Sequence, residues 1–125
     1  MDTHVFLWAA SAPDQLAPSA LALLEDPQNE ILFSVVSAWE IAIKQSLGKL
    51  ELPASADLWV PQQLQTMQFT RATVSLEAAL RVVELPWHHR DPFDRLLIAQ
   101  AMEEQLCVLT RDPAFEKYEV RRCPA

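Results

Sequence analysis

The stretch "LPWHHRDPFDRLLIAQA", Leu85–Ala101, holds two aspartates three residues apart, with Pro92 and Phe93 between them. From Asp91 onward it reads as a helix start. Asp stands at the N-cap, Pro at the first helical position, and an apolar-periodic run continues to about Gln105. Downstream, "LCVLT" (Leu106–Thr110) reads as a strand, Arg111–Pro113 as a turn and "YEV" (Tyr118–Val120) as a last short strand. Upstream, "ATV" (Ala72–Val74) is a strand candidate, and Ser75 can cap the helix "LEAALRVVE". "EILFSVV" is aromatic and β-branched enough for a strand ending near Phe33 or Ser34. "SAWEIAIKQSLGKL" then reads as a helix with Ala38, Ile41, Ala42 and Ile43 inward, closed by Gly48. Helices are also expected from Pro18 to about Asp26 and over "DLWVPQQLQTM", while "THVFLWAA" fits either strand or helix.

Strands alternating with helices indicate an α/β fold. The expectation is a single domain over residues 1–125, a three-layer sandwich with a central, mostly parallel sheet flanked by helices. The 125 residues suffice for one hydrophobic core, and 50% apolar with 22% charged residues is a globular balance. A single glycine excludes glycine-rich phosphate loops. The apolar run Ile31–Trp39 is far short of the roughly 20 residues that span a bilayer. Asp2 and His4 stand where a secretory leader would be basic, so a cytoplasmic location is expected. Cys107 and Cys123 do not make a disulfide framework, and Cys107 in "LCVL" reads as a buried thiol.

In such a sheet, ligands bind beyond the carboxyl ends of the strands. Ser34 and Ser37 follow one strand, with Glu40 a turn into the next helix. Thr110 and Asp112 follow another, Asp2 opens the chain, and Asp94 lies in the first turn of a helix. Each acid has an ordinary structural role as well. Ser37 and Glu40 have capping-box spacing, Asp94 suits a helix dipole, Asp112 suits a turn, and Asp2 could be a solvated terminus. Taken singly, those roles are the commoner ones. They leave unexplained why four acids from separate segments should share one sheet end.

The blocks "DTHVFLW", "SAWEIAIKQSLGKLEL", "LPWHHRDPFDRLLIAQA" and "LTRDPAF" resemble, in order, the PIN-domain ribonucleases of the VapC-type toxin branch. The resemblance runs from Asp2 to about Val120. It implies a parallel sheet with acids at its end that bind Mg²⁺ or Mn²⁺, an RNA substrate and a protein antitoxin as partner, while the apolar content and the several tryptophans, more than a core of this size needs, point to a homodimer. Carried over by position, the acids are Asp2, Glu40, Asp94 and Asp112, and Asp91 is left as a cap. In the family several apolar residues precede the first acid and form the central strand. Here only Met1 does, so that strand is either cut short or built differently.

The chemistry agrees with the residue types. A divalent ion is a Lewis acid and holds an acidified water, both of which phosphodiester hydrolysis requires. Mg²⁺ takes hard oxygen ligands and keeps several waters, so a few carboxylates suffice. A net charge of −7 argues against general nucleic-acid binding. Without the four acids, 13 acidic residues face 10 basic ones. Lys44, Lys49, Arg90, Arg95 and Arg111 are placed to supply local cations, with Ser37, Thr110, Arg95 and Lys44 expected to contact substrate. No zinc motif accompanies His4, His88 and His89, so the last two read as surface loop residues. Trp8 and Trp39 read as core or interface anchors. A haloacid-type phosphatase would need an Asp where His4 stands, and a receiver domain an Asp after "FTRATVS". The remaining alternative is a non-enzymatic interaction module of the same fold.

Overall fold

The computed structural model describes residues 1–125. Six helices are formed: α1 (Thr3–Ser11), α2 (Pro18–Glu25), α3 (Val35–Ser46), α4 (Ala56–Met67), α5 (Leu76–Arg81) and α6 (Pro92–Glu103). Four short strands accompany them: β1 (Leu32–Ser34), β2 (Thr70–Ala72), β3 (Cys107–Thr110) and β4 (Arg121–Pro124). The α/β class holds, and both strand pairings are parallel. Leu32 sits opposite Thr70, and Cys107 opposite Arg121.

The strands form two separate pairs, β1–β2 and β3–β4, where one central sheet was expected. Strands of three or four residues make few ladder bonds, and an apolar cavity of about 320 Å³ lies between the pairs. Leu32 of β1, Val108 and Leu109 of β3, Leu97 of α6 and Met1 line it. Only Met1 and Asp2 precede α1, and Asp2 N–H donates to the Leu109 carbonyl at 3.0 Å. The first residues thus run beside β3 and leave the rest of that edge to the cavity.

Capping settles the helix starts. The "THVFLWAA" segment is helical because Asp2 caps it, Oδ1 accepting from Val5 N at 2.9 Å. α3 begins two residues earlier than read, with Ser34 Oγ accepting from Val36 N at 3.1 Å. Ser37 is therefore an interior residue and no cap. α3 buries Val36, Ser37, Glu40 and Ile41 and leaves Trp39 56% exposed, edge-on to Phe93. Turning a serine and a glutamate inward and a tryptophan outward contradicts hydrophobic patterning, and such departures concentrate at functional positions. Ala42 is exposed for the same reason.

Two further corrections have local causes. Cys107 is exposed because it opens β3, of which only Val108–Thr110 are buried. The last strand begins at Arg121, not Tyr118, because the Tyr118 ring is buried and its hydroxyl donates to Pro86 O at 2.8 Å.

α6 starts as read. Asp91 Oδ1 accepts from Phe93 N at 2.9 Å and Asp94 N at 3.2 Å, and Pro92 occupies the first turn. Asp91→Ala is expected to cost about 1 kcal/mol, measured by denaturant unfolding, and Asp91→Asn much less, because Asn caps nearly as well. Ile98 and Ala99 of α6 are fully buried in a cluster with Val108 and Phe115, so the helix start is fixed against the core.

Candidate metal centre

Asp94 and Asp112 are brought together. A carboxylate oxygen of each and a ring nitrogen of His89 lie within 4.8 Å of one another. α6 supplies Asp94 from its first turn. Asp112 follows β3 and caps the 3-10 helix Pro113–Lys117, its Oδ1 accepting from Ala114 N at 2.9 Å. His89 Nε2 is hydrogen-bonded to Asp94 Oδ2 at 2.7 Å.

Asp2 and Glu40 adjoin this trio through threonines. Thr110 donates its hydroxyl to Asp2 Oδ2, and Thr110 Oγ1 itself accepts from Asp112 N at 3.0 Å. Thr3, the residue after Asp2, donates to Glu40 Oε1 at 2.6 Å and lies 2.9 Å from the Ser37 hydroxyl. Glu40 Oε2 pairs with Lys44 one turn along α3. Asp2 and Glu40 are nearly buried, at 5% and 3% exposure, so these partners offset the cost of taking charge out of water. Ser34, at the end of β1, donates to Gln100 Oε1 at 2.6 Å and ties α6 to the strand that precedes α3.

Burial is the main force on Asp94. It raises the carboxyl from its ordinary range to about 6, partly opposed by the His89 hydrogen bond and assisted by the charges of Asp91 and Glu40. The folded state therefore holds this proton to higher pH than the unfolded chain does. Stability from that group is full below about pH 4 and is lost as pH rises through about 6. Melting in a chelating buffer should show this fall between roughly pH 4 and 6, and Asp94→Asn should flatten it. Lys44 is raised in turn, chiefly by its hydrogen bond to Glu40.

Three residues expected at the substrate take other places. Arg95 is 3% exposed, and its guanidinium donates to the carbonyls of Val82, Leu85, Pro86 and His89 and to the Tyr118 hydroxyl. It follows Asp94 in sequence, but the helix turns it into the protein. Ser37 and Thr110 are buried at 0% and 4% exposure, and their hydroxyls serve Thr3 and Asp2 instead of solvent. Arg111 likewise turns away, donating to the carbonyls of Gln15 and Ala125. Lys44 is the expected substrate contact that stays beside the acids.

Residues 1–120 match the PIN domain. The chain belongs to the PIN-domain family. Among characterised relatives, it is similar to Ribonuclease VapC22 of Mycobacterium tuberculosis (strain ATCC 25618 / H37Rv), 27% identical over 113 residues, 90% of this chain and 85% of that one. It is also similar to Ribonuclease VapC16 of the same organism, 46% identical over 44 residues. That second match covers 35% of this chain and spans only 31% of the relative's length.

The donor set of this PIN domain fits a hard divalent ion. Carboxylate oxygens predominate, and the nearby charges of Asp91 and Glu40 add to the burial that raises Asp94. His89 is the residue that sequence reading missed. In place of the surface loop residue expected, its side chain is 23% exposed and points at Asp94. The available signal was its place five residues before an acid expected to bind metal. No helical or zinc-type spacing marks it, because it lies in the loop ahead of α6.

Proposed function

We propose that this chain is a divalent-metal-dependent ribonuclease acting as the toxin of a toxin–antitoxin pair in the cytoplasm. The observation that carries the proposal is the meeting of Asp94 and Asp112 in one cluster, with Asp2 and Glu40 tied beside it. The ribonuclease names of two relatives support it. Asp2, Glu40, Asp94 and Asp112 are the residues that would hold Mg²⁺ or Mn²⁺, which when bound supplies Lewis acidity and an acidified water. Thr3 and Thr110 orient Glu40 and Asp2. Lys44 keeps a cation beside the acids, available to an RNA phosphate. On this reading the two strand pairs together make up the middle layer of a three-layer single domain.

Partners enter through the surface. Leu76 and Leu80 of α5, Val83 in the 3-10 turn that follows and Trp87 in the next loop are each more than 60% exposed, apolar surface of the kind that marks interaction sites. A homodimer and an antitoxin segment that presents an Arg or Lys to the acids are the occupants this reading assigns. A monomer mass by light scattering at micromolar concentration would remove the dimer. No helix is long and apolar enough to cross a membrane.

Melting with and without metal tests the enzyme reading against a bare interaction module. Mn²⁺ or Mg²⁺ at a hundredfold excess over Kd should stabilise the fold by about 3 kcal/mol, a rise on the order of 10 °C. An unchanged melting temperature with both ions would leave only the module.

A further inference from the structure

We propose that His89 is a nitrogen ligand of the metal, beside Asp94 and Asp112, and that it tilts the centre from Mg²⁺ towards Mn²⁺. The inference rests on the metal-dependent reading above and extends it to a residue outside the acidic set. The cluster that could share one ion is not purely carboxylate: one of its three donor atoms is an imidazole nitrogen.

The ring does not lie there through loop disorder or chance exposure. The backbone of His89 is held at both ends by buried groups. Its N–H donates to the Tyr118 hydroxyl at 2.9 Å, and its carbonyl accepts from Arg95 Nη1 at 3.3 Å. Tyr118 and Arg95 are 7% and 3% exposed. The same two side chains also bind the Pro86 carbonyl, at 2.8 and 2.9 Å, so the segment from Pro86 to His89 is fastened as a unit. Within it the two histidines part company. His88 packs edge-on against the Tyr118 ring, its centroid 5.4 Å away, while His89 turns to the acids. Positioning by a rigid surround is what separates a ligand from a passing surface histidine.

A nitrogen donor alters which ion the centre prefers. Mg²⁺ takes oxygen ligands at short, near-octahedral distances and gains little from imidazole. First-row transition ions accept imidazole readily, with affinity rising from Mn²⁺ along the series, while a carboxylate majority keeps the site suited to Mn²⁺. One imidazole among several carboxylates therefore favours Mn²⁺ over Mg²⁺ without making a zinc-type site.

The test uses metal-stripped full chain, Mn²⁺ and Mg²⁺. Pulsed electron paramagnetic resonance of bound Mn²⁺ should show hyperfine coupling to a directly bound ¹⁴N, and His89→Gln should abolish it. Calorimetric titration should show His89→Gln weakening Mn²⁺ at least about 10-fold, the least that losing even an outer-shell partner costs, with Mg²⁺ affinity almost unchanged. Mn²⁺ bound by wild type without nitrogen coupling overturns the ligand role and leaves the acidic centre standing. So does a His89→Gln that weakens both ions alike, as a mere hydrogen-bond partner of Asp94 would. Wild type that binds neither ion removes the metal-dependent reading and this inference together.

Discussion

Asp94→Asn is expected to lower RNA cleavage at least about a hundredfold in saturating divalent metal, since metal and electrostatic stabilisation are worth several kcal/mol. Asparagine keeps the shape of the side chain and its place in the first turn of α6. What it removes is one negative charge from the cluster with Asp112 and His89. The fold should survive. Above about pH 6 the metal-free variant should melt higher than wild type, because burial already disfavours the Asp94 carboxylate and Asp91 and Glu40 add to that. The rise in melting temperature on adding metal should shrink or vanish. Asp91→Asn, three residues away, should cleave RNA at nearly the wild-type rate, because its work is capping. Wild-type turnover by Asp94→Asn would separate the cluster from the chemistry.

The largest effect on stability is expected at Arg95. Its two terminal nitrogens serve four carbonyls and a hydroxyl, nearly out of reach of water. Arg95→Ala takes the side-chain donor from the Leu85 and His89 carbonyls, while Val82 and Pro86 keep Leu85 N and the Tyr118 hydroxyl, and the loss should be about 3–5 kcal/mol by denaturant unfolding. Lysine should not rescue it, because a point ammonium cannot reproduce the planar fork that spans the turn. The guanidinium also lies 4.0 Å from the centre of the Trp87 ring, so the same substitution frees an exposed tryptophan. A loss under about 1 kcal/mol, the size of an ordinary surface change, would contradict this role for Arg95.

Much of this is legible in the sequence. The N-cap, proline and apolar run from Asp91 located α6, the aromatic, β-branched stretch ending near Phe33 or Ser34 located β1, and "LCVLT" located β3. Strand–helix alternation pointed to an α/β fold with its acids at the strand ends, and Asp94 and Asp112 do meet there. The errors share a physical origin. Arg95 was judged by its neighbour in sequence, yet adjacent residues on a helix point about 100° apart. Its partners are carbonyls of the preceding turn, which no side-chain pattern reveals. Ser37 was given a capping role because its spacing from Glu40 permits one, whereas Ser34 caps α3 and Ser37 lies inside it. His89 depends on backbone anchoring by Tyr118 and Arg95, contacts made across 29 and 6 residues. The split of the strands into two pairs reflects edge pairing over long distances, which local propensity does not encode.

We propose that Asp94 and Asp112, with Asp2 and Glu40 beside them, form a metal centre that hydrolyses RNA. The most direct measurement is incubation of metal-stripped wild-type protein with total RNA, in chelator and then after adding back Mn²⁺ or Mg²⁺. Intact RNA is expected in chelator and cleavage on metal addition, with Asp94→Asn cleaving at least about a hundredfold more slowly in either metal. Cleavage that persists in chelator, or RNA left intact by wild type in either metal, would contradict it.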